Sequence, residues 1–246
     1  MVSQLESQTS SEVNYPERDG QPMSDNTIQF RWILTLYYNL EWLFTHDPAI
    51  FVAGDLLWYP VQGNNKIRQA PDIMVVFGVA KGERGSYQQW NEGNIAPQVV
   101  FEILSPGNRL TEMNKKQVFY DRYGVEEYYL YDPHKNDLSG WLRTDERLDV
   151  IDDINNWVSP RLQIRFELSE NELKLYHPDG KRFSTYLEIQ NQLEQERLRA
   201  EQAEQQLEQE RLRAEQAEQQ LEQERLRATR LEELLRSAGI DPEQNS

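Results

Sequence analysis

The sequence predicts an α/β (α+β) domain, a mixed sheet flanked by helices, followed by one long C-terminal helix or coiled coil. Three observations predict it. Apolar residues at helical spacing over residues 25–45 precede several short β-type runs separated by Gly, Pro and Asn. One of those runs, VVFEILSP from Val99, is apolar almost throughout, as a strand buried on both faces would be. From Leu193 the unit LEQERLRAEQAEQQ repeats at Leu207, and a third copy begins at Leu221 and diverges at Thr229. That unit contains only good helix formers.

The elements follow in order. Residues 1–23 are polar and aperiodic and read as a flexible arm. Ser24 or Asp25 can cap the first helix, whose core stripe is Ile28, Trp32, Leu36, Leu40 and Leu43. AIFVAGDLLWYP reads as a strand with an irregularity at Gly54, and PDIMVVFG as a strand entered by Pro71. The loop KGERGSYQQWNEGNIAP separates it from QVVFEILSP. RLTEMNKKQVFYDRYG is helical, with Thr111 as a cap and Gly124 as a C-terminal stop. VEEYYLYDP, LSGWLRT, ERLDVI and ELKLYHPDG supply further strands. The globular domain spans residues 24–189, the repeat helix 190–236 and a flexible end 237–246.

The repeat is two heptads long. Leu193, Leu207, Leu221 and Leu235 share position a with Ala200, Ala214 and Ala228. Position d holds Ala203, Ala217 and Leu231, but also Glu196, Glu210 and Glu224. The seam is narrow, and two outcomes are open: a homo-oligomer through this helix, or a solvated single helix held by spaced Glu and Arg charges.

Composition removes several classes. With no cysteine there is neither a disulfide framework nor a thiolate zinc site. His46, His134 and His177 share no ligand spacing, so zinc is not expected. The N-terminus lacks a basic start followed by an apolar stretch, and no run reaches ~18 apolar residues. The expectation is a cytoplasmic protein with no membrane partner. The net charge is −16, of which −10 falls in the first 189 residues and −6 in the rest. An acidic domain argues against broad, nonspecific nucleic-acid binding but leaves room for a local basic groove.

Glu102 is the anomaly. It interrupts Val99, Val100, Phe101, Ile103 and Leu104, and an unpaired carboxylate buried there would cost several kcal/mol, on the order of the penalty for an isolated ion. A partner, protonation or a metal must compensate. Asp72 opens the preceding strand. If the two strands are neighbours, both carboxylates can converge at one edge of the sheet and hold a hard divalent cation, with a backbone carbonyl as a further oxygen. Lys116 lies on the next helix, four residues before Tyr120 and on the same face. Each residue also has a plainer reading. Pro-Asp is common turn chemistry, and Glu102 can be a structural ion-pair partner of Lys116 or Arg109. Lys115 reads as solvated and Asp55 as structural. In the loop, Tyr87 and Trp90 pin it to the body or stack on a base, and Lys81 and Arg84 are solvated or touch phosphates.

Taken together, "PD", the acid of FEILSP and a lysine on the next helix resemble the PD-(D/E)XK nuclease superfamily. DGQPMSDN, PDIMVVFGVAKGERGSYQQWNEG, FEILSP and YGVEEYYLYDP resemble its Uma-type branch of restriction endonucleases, from about residue 15 to about residue 186. The resemblance implies a restriction-endonuclease-like fold and Mg²⁺-dependent (or Mn²⁺-dependent) hydrolysis of nucleic-acid phosphodiesters, DNA in the first place. Asp72 and Glu102 would bind the metal, and Lys116 would be the catalytic lysine. The superfamily's usual lysine position, two residues after the acid, holds Leu104, so Lys116 stands in from the helix. An extra acid from the first helix, Glu41 or Asp25, would fit some members. The alternative is a catalytically silent scaffold acting through its tail. A third possibility is a nuclease fold that binds nucleic acid without cutting.

Overall fold

The expected first helix is α1, Thr27–Leu43. Its cap is Asn26, whose side chain accepts from the backbone N–H groups of Ile28 and Gln29 at 3.0 and 2.9 Å, rather than Ser24 or Asp25. The structure is a computed structural model and describes residues 13–18, 20, 24 and 26–239; Asp25 lies outside the described residues. The run 49–60 is not one strand. β1, Ile50–Gly54, stops at Asp55, which turns the chain with φ of 49°, and β2, Trp58–Tyr59, joins a separate pair. β3, Ile73–Phe77, β4, Tyr87–Gln88, and β5, Val99–Ile103, follow. α2 is Leu110–Arg122, with Arg109 at the N-cap position instead of Thr111. Gly124 closes it with φ of 89°, the left-handed conformation glycine adopts without strain. β6, Glu127–Asp132, β7, Asp137–Thr144, β8, Arg147–Val150, and the hairpin of β9, Arg165–Leu168, and β10, Leu173–Tyr176, complete the globular unit.

Six strands form one mixed sheet in the order β1-β3-β5-β6-β7-β8. β5 and β6 are parallel and joined through α2; the other pairings are antiparallel. Every residue of β5 is buried, as its unbroken apolarity requires. Side chains alternate between faces. Val75, Phe101, Ile103 and Tyr129 meet Trp32, Ile33, Leu36 and Leu40 of α1 and Phe166 and Leu175 of the β9–β10 hairpin. Met74, Val76, Val100 and Tyr128 point the other way, to Tyr120 of α2 and to Trp58 and Tyr87 of the β2–β4 pair. The two cores leave the C-terminal end of β5 between α1 and α2.

The arm expected over residues 1–23 lies largely outside the described residues. Its described part is docked rather than free. Tyr15 packs against Tyr59 and Trp90, with ring centroids 5.2 and 4.9 Å apart, and the Pro16 carbonyl accepts from the Tyr59 hydroxyl at 2.6 Å.

The chain divides at Tyr186/Leu187 into two units. Within the second, α3, Tyr186–Ser237, is one continuous helix with no buried residue. At 1.5 Å per residue it is about 78 Å long. Of the flexible end expected over residues 237–246, the part beyond residue 239 lies outside the described residues.

Candidate active site

β3 and β5 pair antiparallel with Ile73 opposite Phe101 and Met74 opposite Val100. One step further along that register sets Asp72 opposite Glu102. Residues opposite one another in an antiparallel pair point to the same face, with Cβ atoms about 5 Å apart. Both therefore point toward α2, on the side of Val100 and Met74. Both are buried, Asp72 8 % and Glu102 2 % exposed. Asp72 Oδ2 accepts from the Ile103 N–H at 2.6 Å, which ties it directly to the neighbouring strand.

α2 supplies the compensation that Glu102 demands. Lys116 Nζ lies 2.7 Å from Glu102 Oε2. Tyr120, one helical turn on, donates its hydroxyl to Oε1. The spacing of four residues puts both groups on one face of α2, above the same carboxylate. The structure thus brings Asp72, Glu102 and Lys116 together. The ion-pair partner is Lys116 and not Arg109, which is exposed at the start of α2.

The electrostatics follow from burial. The Asp72 carboxyl is pushed up to about 8, by burial first and by the Glu102 charge second; Lys116 and the Ile103 N–H oppose the shift. Nearby Asp55 raises it further. For Lys116, burial favours loss of the proton, but the Glu102 and Asp72 charges prevail and hold the ammonium above its ordinary value. The Tyr120 phenol is driven well up by burial and by Glu102, so it remains a donor. Two buried carboxylates against one ammonium leave the site short of positive charge.

That donor set fits a hard divalent cation. Mg²⁺ is commonly held by one or two carboxylates, with waters and phosphate oxygens completing the shell. Among the described residues no three His, Asp or Glu side chains converge, so Asp72 and Glu102 would hold such an ion without a third side chain. The Ile103 carbonyl already accepts from Gln29 Nε2 at 2.9 Å. Glu41 does not join the site. It pairs with Lys81 at 3.2 Å, and its helix packs on the other face of the sheet. Arg84 pairs with Glu92 at 2.7 Å and covers the Phe51 ring. Lys81 and Arg84 are therefore engaged within the fold.

Two features escaped the sequence reading. Helix spacing placed Tyr120 on the Lys116 face of α2, but its hydroxyl contact with Glu102 was invisible. Glu127 is fully buried on the opposite face, accepting from Tyr129 Oη at 2.8 Å, from the Arg161 N–H at 2.6 Å and from the Ser159 hydroxyl. Burial raises its proton affinity, partly offset by those bonds. Its shared parity with Tyr129 and Tyr131 was the available clue.

No curated protein matches the sequence. A solved structure titled as a putative nuclease belonging to DUF820 from Anabaena variabilis is similar to the chain. It has 18 % identity, covers 58 % of this chain and 79 % of its own, and superposes with a TM-score of 0.43. The Uma2 family model, described as "Putative restriction endonuclease", matches residues 3–222. No helix of the described residues is long and apolar enough to cross a membrane. With a match across most of its length, the chain belongs to the Uma2 family.

Proposed function

We propose that the chain is a divalent-metal-dependent endonuclease that hydrolyses phosphodiester bonds of DNA at Asp72, Glu102 and Lys116. The observation that carries this reading is the convergence of three groups. Two buried carboxylates, one just before β3 and one in β5, stand opposite one another by the strand register, and the ammonium of Lys116 lies 2.7 Å from one of them. Membership of the Uma2 family supports it.

Asp72 and Glu102 would hold Mg²⁺ or Mn²⁺. Such an ion, when bound, lowers the pKa of a coordinated water and offsets charge developing on the phosphate. Lys116 is a donor and a positive charge, not a base, because its neighbours keep it protonated. Its place is beside the phosphate oxygens, where a preorganised cation stabilises the transition state most. Tyr120 fixes the Glu102 carboxylate in one orientation. Asp72, anchored through Oδ2 to the Ile103 N–H, is fixed in the same way from the other strand.

One observation favours the non-catalytic scaffold as the second reading. Lys116 and Tyr120 between them already satisfy both oxygens of Glu102. Incubation of the purified chain with plasmid DNA, single-stranded DNA and RNA, with Mg²⁺, Mn²⁺ or EDTA, separates the two. Metal-dependent cleavage lost in Lys116→Met supports the nuclease. No cleavage of any substrate with either metal supports the scaffold.

A further inference from the structure

We infer that the hydroxyl of Tyr128 is a third positioning group for Glu102, after Lys116 and Tyr120, and that it engages the carboxylate when a divalent cation is held at the site. Tyr128 is fully buried, and its hydroxyl has no hydrogen-bond partner among the described residues. Its neighbours differ. The hydroxyls of Tyr59, Tyr87, Tyr120, Tyr129 and Tyr131 are on buried residues too, and they donate to the Pro16 carbonyl, the Ile95 carbonyl, Glu102, Glu127 and Asn136. An unpaired buried hydroxyl destabilises the fold, and a phenylalanine would fill the same space without that cost. The hydroxyl therefore needs an account beyond packing.

Its place brings it to the acid pair. β5 and β6 run parallel, with Val100 beside Tyr128 and Glu102 beside Leu130. Val100 and Glu102 point to the same side of the sheet, the side of α2, and Tyr128 shares it. It stands one alternation along the strand from the level of Glu102. The Tyr120 ring, whose hydroxyl donates to Glu102, lies against it with centroids 5.2 Å apart, and the Trp141 ring stacks on it at 4.9 Å. Burial first, and then the charges of Glu102 and Asp72, raise the proton affinity of the phenol. Both acids thus act on this group, and it stays a neutral donor beside them.

The charges of the site supply the reason for a third donor. An ionised carboxylate offers about four lone-pair sites, and Glu102 uses one for Lys116 and one for Tyr120. The Lys116 ammonium, 2.7 Å from Oε2, is repelled by any second cation on that carboxylate. Glu102 then loses one of its two donors. A hydroxyl replaces that bond without adding a positive charge that competes with the ion, and Tyr128 has its donor free. Donors behind a ligating carboxylate fix its orientation and raise metal affinity in this way. The role rests on the metal-site reading of Asp72 and Glu102.

The test uses the full chain and Tyr128→Phe, which keeps the ring and its contacts. In EDTA the urea midpoint of this variant should equal or exceed that of the unaltered chain, whereas Tyr120→Phe, which deletes a bond already made, should fall. In a Mn²⁺ titration followed by electron paramagnetic resonance, the Kd of Tyr128→Phe should be about tenfold higher than that of the unaltered chain. Equal Mn²⁺ affinity in the two chains would overturn the role of Tyr128 and leave the metal site standing. A midpoint in EDTA as low as that of Tyr120→Phe would overturn it as well, because the hydroxyl would then be bonded before any ion arrives. No Mn²⁺ bound by the unaltered chain would overturn the metal site and this role together.

Discussion

Replacing Asp72 by Asn in the metal-free protein isolates the electrostatic cost of the site. The folded chain holds the Asp72 proton up to about pH 8, whereas an unfolded chain releases it near 3.9. A carboxyl with a raised folded pKa contributes its full stability below the unfolded value and loses it as pH rises toward the folded one. The window therefore runs from about pH 4 to about pH 8. Each unit within it costs about 1.4 kcal/mol, so at pH 7 the penalty is about 4 kcal/mol. Asparagine does not titrate, and its carbonyl can keep the bond to the Ile103 N–H. Its amide introduces a donor that needs a partner, at about 1–3 kcal/mol. Lys116 is not stranded, because Glu102 stays 2.7 Å away. The net expectation at pH 7 is a variant more stable by about 2 kcal/mol, with Tm higher by about 6 °C. At pH 4 the order reverses, because only the amide cost remains. Urea denaturation of both proteins in EDTA from pH 4 to 9 measures this directly. A gap of constant size across that range would refute the charge-deficit reasoning, as would an Asn variant less stable throughout.

Three further outcomes follow from the same geometry. Glu102→Gln removes the buried anion that Lys116 faces, and should lower apo stability at pH 7 by a few kcal/mol in chemical denaturation, since a partly buried ammonium loses its nearest counter-charge. Tyr120→Phe keeps the ring packing but deletes the hydroxyl bond to Glu102, and should cost about 1.5–3 kcal/mol in the same assay and weaken metal binding without abolishing it. Truncation near Gln190 removes nearly all of α3, which buries no residue, so thermal melting of the globular unit should be unchanged; a fall in Tm would place structural contacts in the tail.

The sequence exposed the site unevenly. Glu102 was legible because a carboxylate inside an apolar strand is an energetic contradiction, and β5 is indeed buried along its whole length. That Asp72 stands opposite it was not, because register between strands separated by a long loop is set by tertiary packing. Lys116 was placed through family resemblance and helix periodicity together. Helix spacing put Tyr120 on the Lys116 face, but its hydroxyl contact left no trace, since only the fold shows what the tip of a tyrosine reaches. Glu127 was missed because Glu126-Glu127 looks like a solvated pair, although only Glu126 faces outward to Arg161. The β1–β2 break falls at the left-handed turn of Asp55, next to the Gly54 irregularity that was expected within a single strand. The long helix, by contrast, was written in local propensity repeated every 14 residues, and α3 follows it.

Direct titration of the purified chain with Mn²⁺ at pH 8, followed by electron paramagnetic resonance of the free ion, tests the central claim that Asp72 and Glu102 hold a divalent cation. The account predicts one bound ion per chain, displaced by Mg²⁺, lost in Asp72→Asn and in Glu102→Gln, and retained in Glu127→Gln, whose carboxylate lies on the opposite face of the sheet. Binding that survives both site substitutions, or no binding by the unaltered chain, would contradict it.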